Sequence, residues 1–151
     1  MSAKEKLVAD IMSKNLVTVE RNDPLTVADD LMKHKHIRHV LVLDAYGDLC
    51  GVVTKRDLFR GAVLRSLGYG QRVEQMLLSN LLVKEAMTED PVTVEPGASL
   101  TEAARILIDK GIGCLPVTKD GKLVGILTEG DFVRLAAGDV AKASRKQRLT
   151  D

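Results

Sequence analysis

The sequence predicts an α+β fold made of two β-α-β-β-α repeats packed with pseudo-two-fold symmetry. Three observations lead there. One stretch of sequence occurs twice at a nearly constant offset. Each copy alternates short β-branched runs with segments of helical periodicity. Each copy closes on the same Gly-x-x-Thr-x-x-Asp run.

The repetition is detailed. Val8-Ala-Asp-Ile-Met12 resembles Val83-Lys-Glu-Ala-Met87, 75 positions later. At that offset Val17-Thr18-Val19-Glu20 equals Val92-Thr93-Val94-Glu95, Leu25-Thr26 equals Leu100-Thr101, and Ala28 equals Ala103. Ile37 matches Ile112, and Val42 matches Val117. One residue inserted near Tyr46 shortens the offset to 74, so Gly51-Val-Val-Thr54-Lys-Arg-Asp57 falls on Gly125-Ile-Leu-Thr128-Glu-Gly-Asp131, and Arg60 on Arg134.

Each element follows from local chemistry. Residues 16–19 form a short β-branched run and predict a strand. Asp23-Pro24 opens a helix, Asp as N-cap and Pro in the first turn. Ser99-x-x-Glu102 does the same in the second copy as a capping box. Leu25, Ala28, Leu31 and Met32 recur at helical spacing, as do Leu100, Ala103, Ala104, Leu107 and Ile108. Residues 40–43 and 49–53 are paired strands around an Ala45-Tyr-Gly47-Asp48 turn, which the second copy shortens to Asp120-Gly121. A second helix is expected over 57–67. Gly68-Tyr69-Gly70 breaks it, and 71–82 reads as another helix with Val73, Met76, Leu77 and Leu81 apolar. The chain therefore divides into repeat 1 (7–67), a helical connection (68–82), repeat 2 (83–138) and a polar tail (139–151). One repeat has too few apolar faces to close a core alone, whereas two packed sheet to sheet bury them.

Composition narrows the function. The 151 residues are 45% apolar and 28% charged with a net charge of +1, an ordinary soluble surface without the basic face that nucleic acid requires. Aromatics are 3% and Trp is absent, which disfavours base stacking. No run approaches the roughly 20 apolar residues of a membrane helix, and the start of the chain shows no apolar signal region. Cys50 and Cys114 lack zinc or redox spacing and read as reduced thiols of a cytoplasmic protein, not as a disulfide.

The doubled unit, the run Met-Thr-x-x-Pro-Val-Thr-Val at 87–94, and the Gly-h-h-Thr-x-x-Asp closing each copy (h, apolar) resemble a tandem CBS-domain pair, also called a Bateman module. The resemblance covers about 7–138. It implies a stand-alone regulatory module for an adenosine-containing ligand: AMP, ADP or ATP, with S-adenosylmethionine, NAD or a cyclic dinucleotide as further members of that set. It also implies a homodimer arranged as a disc of four repeats and a regulated protein partner, with no metal required.

The resemblance assigns ribose hydroxyls to Asp57 and Asp131 and phosphate to Thr54 and Thr128. The chemistry suits the roles, since a carboxylate accepts two hydroxyls and a helix start favours an anion. Thr-x-x-Asp before a helix is equally a capping pattern, and both roles can coexist. The phosphate end falls to Arg38 and His39 in the first copy and to Gly113, Cys114, Leu115 and Pro116 in the second. Arg38 and His39 donate to phosphate and Gly113 and Cys114 do not. Lys33, Lys35, Lys55 and Arg56 of the first copy stand against Ile108, Lys110, Glu129 and Gly130. Two unequal sites are expected, the first preferring di- or triphosphate, the second a less charged adenosyl ligand or none. For Lys33 and Lys35 a plain solvated helix face explains as much. An adenine slot is assigned to Ser13, Leu16 and Val17, and to Thr88, Pro91 and Val92; these also read simply as strand residues.

His34-x-His36-x-x-His39 invites a metal, but it crosses a helix end and lacks a completing Cys or carboxylate. No catalytic triad, paired carboxylates or phosphate-loop lysine occurs, so no enzyme is expected. The competing reading is a structural, dimerising module with vestigial ligand sites. Phe59, Ala62 and Val63, with Phe132, Leu135 and Ala136, are the expected dimer face.

Overall fold

The computed structural model describes residues 5–58, 72, 76 and 78–138. Its elements in chain order are α1 (Val8–Ile11), β1 (Thr18–Glu20), α2 (Leu25–Lys35), β2 (His39–Leu43), β3 (Leu49–Thr54), α3 (Val83–Ala86), β4 (Thr88–Glu89), α4 (Leu100–Lys110), β5 (Cys114–Lys119), β6 (Lys122–Thr128) and α5 (Glu129–Ala136). A helical turn at 55–58 follows β3. The α+β class is observed; among the described residues repeat 1 shows β-α-β-β and a first helical turn, and repeat 2 shows α-β-β-α with its opening strand reduced to a bridge at Val94. Of the helix expected over 57–67, only 57 and 58 fall among the described residues. Most of the 68–82 connection and all of the tail from 139 lie outside them. So do Phe59, Ala62 and Val63 of the expected dimer face.

The chain forms two compact units. One is Val17–Pro91; the other joins the residues up to Leu16 with those from Val92 onward. The leading segment of each repeat thus packs in the unit of the other repeat. The hydrogen bonds show why. Leu25 N–H, at the start of α2, donates to Leu81 O (2.8 Å), and Val83 N–H donates to Asp23 O (2.8 Å). At the equivalent positions Leu100 N–H donates to Lys6 O (3.0 Å), and Val8 N–H to Ala98 O (2.9 Å). Each leading segment therefore satisfies a helix-start amide that has no partner within its own helix.

This docking corrects the expected cap. Pro24, not Asp23, is the N-cap of α2. Asp23 Oδ2 instead accepts Glu20 N–H (2.9 Å), one turn earlier, because Leu81 already supplies the acceptor for Leu25. In the second copy Ser99 Oγ does accept Glu102 N–H (3.1 Å), as the capping pattern predicts. The C-terminal ends agree between copies: His36 (φ 56°) and Gly111 (φ 64°) both close their helices in the left-handed region.

The Val17–Pro91 unit holds one four-stranded sheet, ordered β1-β2-β3-β4. β1 runs parallel to β2 with Val19 opposite Val42; β2 and β3 are antiparallel; and β4 adds antiparallel with Thr88 opposite Val52. In the other unit β5 and β6 pair antiparallel, and two isolated bridges complete the pattern: Val94 parallel to Val117, and Ser13 antiparallel to Ile126. The first edge is reduced to one bridge for a chemical reason. Leu41 N–H donates to Val17 O (3.1 Å), but the equivalent of Leu41 is Pro116, which has no N–H. The hairpin turns differ as expected. Asp120 and Gly121 (φ 52° and 78°) make a two-residue turn with both residues left-handed, whereas Asp44 Oδ1 closes the longer loop by accepting Tyr46 and Asp48 N–H (2.9 and 3.0 Å).

Each unit has its own core. Val19, Leu25, Ala28, Met32, Val40, Val42, Val53 and Val83 cluster in one, and Val8, Val94, Ala103, Leu107, Leu115, Val117 and Leu127 in the other. The connection contributes Leu78, which is buried, while Met76 and Leu81 of the expected apolar face are exposed. Phe132 and Leu135 are half-buried against the second core, while Val133 and Ala136 are exposed. The glycine opening each Gly-x-x-Thr-x-x-Asp run has a steric cause. A Cβ on Gly51 would lie 2.5 Å from Met87 Sδ and 3.0 Å from Thr88 O; on Gly125 it would lie 2.6 Å from Met12 Sδ and 3.0 Å from Ser13 O. The docked leading segment crosses at these points.

Candidate functional site

Thr54 ends β3, and Asp57 lies in the helical turn that follows it. Asp57 Oδ2 accepts Thr54 N–H (2.8 Å) and Thr54 Oγ1–H (3.1 Å), while Asp57 N–H donates back to Thr54 Oγ1 (3.3 Å). Thr128 and Asp131 repeat the arrangement between β6 and α5, with Asp131 Oδ2 accepting Thr128 N–H (2.8 Å) and Oγ1–H (3.3 Å). The capping chemistry is thus real in both copies. It holds a carboxylate in the first helical turn after the strand; in the second copy this is the start of α5, where the dipole favours negative charge.

The strand start lies beside this corner. His39 pairs across the sheet with Thr54, and Lys55 N–H donates to Arg38 O (2.8 Å). The second unit repeats this with Cys114 opposite Thr128 and Glu129 N–H on Gly113 O (3.0 Å). Arg38, Lys55 and Arg56 are exposed there, against Gly113, Glu129 and Gly130. Leu115 and Pro116 are fully buried in the core, so any part they take in binding falls to the main chain.

The slot residues are redistributed by the exchange of leading segments. Ser13 and Leu16 belong to the unit of Thr128 and Asp131, where Ser13 pairs with Ile126, two residues before Thr128. Val92 lies in that unit too. Thr88 and Pro91 belong to the unit of Thr54 and Asp57, together with Val17. Thr88 and Val92 are exposed, and Ser13, Leu16, Val17 and Pro91 are half-buried. The second copy also holds a site residue to which the sequence pattern assigns no role: Arg134 Nη2 donates to Asp131 Oδ1 at 2.7 Å. Its spacing of three from Asp131 on a helix was the available signal.

Lys33 lies 3.0 Å from Asp29 across one helical turn, which makes it part of a helix-surface pair. His34, His36 and His39 fall on α2, its left-handed cap and β2; among the described residues no group of three or more His, Cys, Asp or Glu could hold a metal. Among those residues no helix is long and apolar enough to cross a membrane.

Both cysteines are free. Burial pushes the Cys114 thiol up to about 12 from 9.0. Burial also raises Cys50, opposed by Arg21 and reinforced by Asp44, Asp90 and Glu89. A thiol whose folded value is raised favours the fold below its unfolded value, and that contribution falls away as pH rises from about 9 toward 12. Cys114→Ala is therefore expected to flatten the alkaline loss of stability followed by thermal melting between those values. In the native protein a thiol reagent should modify half-buried Cys50 before Cys114; the reverse order by peptide mapping would contradict the burial.

Residues 8–63 and 83–138 each match the CBS domain. The chain belongs to the CBS-domain family. Its fold is similar to that of AcuB from Vibrio cholerae, at TM-score 0.73 and 32% identity, covering 94% of this chain and 98% of that one. CBSX2 in complex with AMP aligns at TM-score 0.70 and 30% identity, covering 87% and 96%. The CBS-domain pair of protein MJ0100, in complex with 5′-methylthioadenosine and S-adenosyl-L-methionine, aligns at TM-score 0.71 and 26% identity, covering 89% and 98%. The chain spans 46% of the length of one curated relative, to which it is 26% identical. The two CBS repeats thus account for nearly all of the described chain.

Proposed function

We propose that this CBS pair is a non-catalytic regulatory module that binds adenine nucleotides, with the Thr-x-x-Asp corner of each repeat holding the ribose and phosphate. The observation that carries the reading is the corner itself, built twice with matching hydrogen bonds: Thr54 with Asp57, and Thr128 with Asp131. Each sets a carboxylate beside the start of the adjoining strand, at His39 and at Cys114. Related pairs hold AMP in one case and S-adenosyl-L-methionine with methylthioadenosine in another, which supports an adenosine-containing ligand here. AMP, ADP and ATP are the first candidates, and S-adenosylmethionine and NAD the next. Binding shifts the module between states read by a protein partner or by a second copy of the chain, for which exposed Val133 and Ala136 on α5 offer a contact.

One observation favours a purely structural module. Each Thr-Asp pair makes the hydrogen bonds of a helix cap, a role that needs no ligand. Thermal melting with a panel of adenosine, AMP, ADP, ATP, NAD and S-adenosylmethionine separates the two readings. A ligand at 100 times its Kd is expected to stabilise by about 2.7 kcal/mol. No shift with any of them, at millimolar concentration, rejects the nucleotide reading in favour of the structural one.

A further inference from the structure

The carboxylate that the second site needs is already occupied. Asp131 is 6% exposed and receives three donors: Thr128 N–H and Oγ1–H on Oδ2, and Arg134 Nη2 on Oδ1. Arg134 folds back along α5 over Gly130, where a Cβ would stand 3.1 Å from Nη1 and 3.3 Å from Nη2. Arg56 holds the Gly130 position in the first repeat. The Arg134 guanidinium is not fully satisfied, for its Nε is buried and, among the described residues, meets no acceptor.

Two facts of chemistry bear on this arrangement. A charge-assisted hydrogen bond to a buried carboxylate must be displaced or shared before a ribose hydroxyl can use that oxygen. A buried charged donor without an acceptor is costly, and the cost is relieved by any ligand that brings one. A neutral nucleoside presents hydroxyls for Asp131 but no anion for the displaced guanidinium. A nucleoside monophosphate presents both.

We infer that Arg134 is the specificity-determining residue of the second site: it bonds Asp131 Oδ1, yields that oxygen to a ribose diol, and takes up the phosphate of the same nucleotide. The inference rests on the reading of Asp131 as a ribose acceptor. It also revises the expectation drawn from Gly113 and Cys114, because this site carries its positive charge on the helix instead of the strand. The second site then selects a monophosphate over a neutral nucleoside.

The test is calorimetric titration of adenosine and AMP into Arg134→Met and Arg134→Gln, both in an Asp57→Ala background that isolates the second site. Freed of its internal competitor, the site is expected to bind adenosine about tenfold more tightly, while the ratio of AMP to adenosine affinity falls by tenfold or more. Arg134→Lys keeps the charge and is expected to retain most of that ratio; melting without ligand confirms that each variant folds. Adenosine affinity unchanged or weakened in both Met and Gln variants, with the ratio held, overturns the role of Arg134 and leaves the nucleotide site standing. Adenosine binding that survives Asp131→Ala in the same background removes the ribose reading, and this inference with it.

Discussion

Removal of residues 1–16 is expected to unfold the unit built from 92–138 while the Val17–Pro91 unit stays folded. The leading segment places Val8 (0% exposed) and Ile11 (9%) in the second core, with Met12 packed beside them. It also supplies the acceptor for Leu100 N–H and two bonds between Ser13 and Ile126, each 2.9 Å. Burying two aliphatic side chains of this size is worth about 1.5–3 kcal/mol each. Together with the lost main-chain partners this approaches the roughly 5–15 kcal/mol that holds a whole domain. Among the described residues the core of the other unit draws nothing from before Val17: its buried members run from Val19 to Val83. In an amide-resolved NMR spectrum of the truncated chain, signals from 92–138 should collapse while those from 17–58 and 83–91 keep their dispersion. Native dispersion throughout 92–138 would show that the segment is dispensable; collapse of both sets would show that the units do not hold separately.

The same exchange marks where the sequence stopped being informative. Strands, the main helices and the Thr-Asp corners were legible because their causes are local: β-branched runs, helical spacing, and a hydroxyl three residues before a carboxylate. Repetition made them firm, since Thr54 with Asp57 and Thr128 with Asp131 occur at one place in two copies. But repetition cannot say which copy's sheet a leading segment joins. Ser13 beside Ile126 and Thr88 beside Val52 obey the same pattern that the opposite pairing would have obeyed. The misplaced cap at Asp23 has the same origin, because the acceptor for Leu25 N–H comes from Leu81, far along the chain. Leu78 was missed for a related reason: its burial depends on the core of the Val17–Pro91 unit, not on the spacing of neighbouring apolar residues. Arg134 was visible as a repeated arginine three residues after Asp131, yet that spacing alone does not choose between a bond to Asp131 and a solvated side chain.

That bond also shapes the second large expectation, which is that ATP loses at least tenfold more affinity from Asp57→Ala than from Asp131→Ala. The two corners share their hydrogen bonds but not their charge. Around Thr54 and Asp57 the main chain sets Arg38 next to Lys55, with Arg56 following, and all three are exposed. Around Thr128 and Asp131 the same positions hold Gly113, Glu129 and Gly130, so an acid stands where a cation does in the first unit. Arg134 is one positive group there, bonded to Asp131, and Glu129 repels phosphate charge. A charge-assisted hydrogen bond contributes about 1.5–3 kcal/mol, so the loss of one phosphate donor corresponds to roughly ten- to a hundredfold in affinity. Arg38→Ala should therefore weaken ATP by that factor and leave adenosine nearly unchanged, whereas Asp57→Ala weakens both. The preference for triphosphate should also shrink with added salt, as it must for exposed cations at the surface. Equal losses of ATP from Asp57→Ala and Asp131→Ala would show that the cations of the first unit do not face the ligand, and that the inequality between the repeats belongs to their surfaces alone.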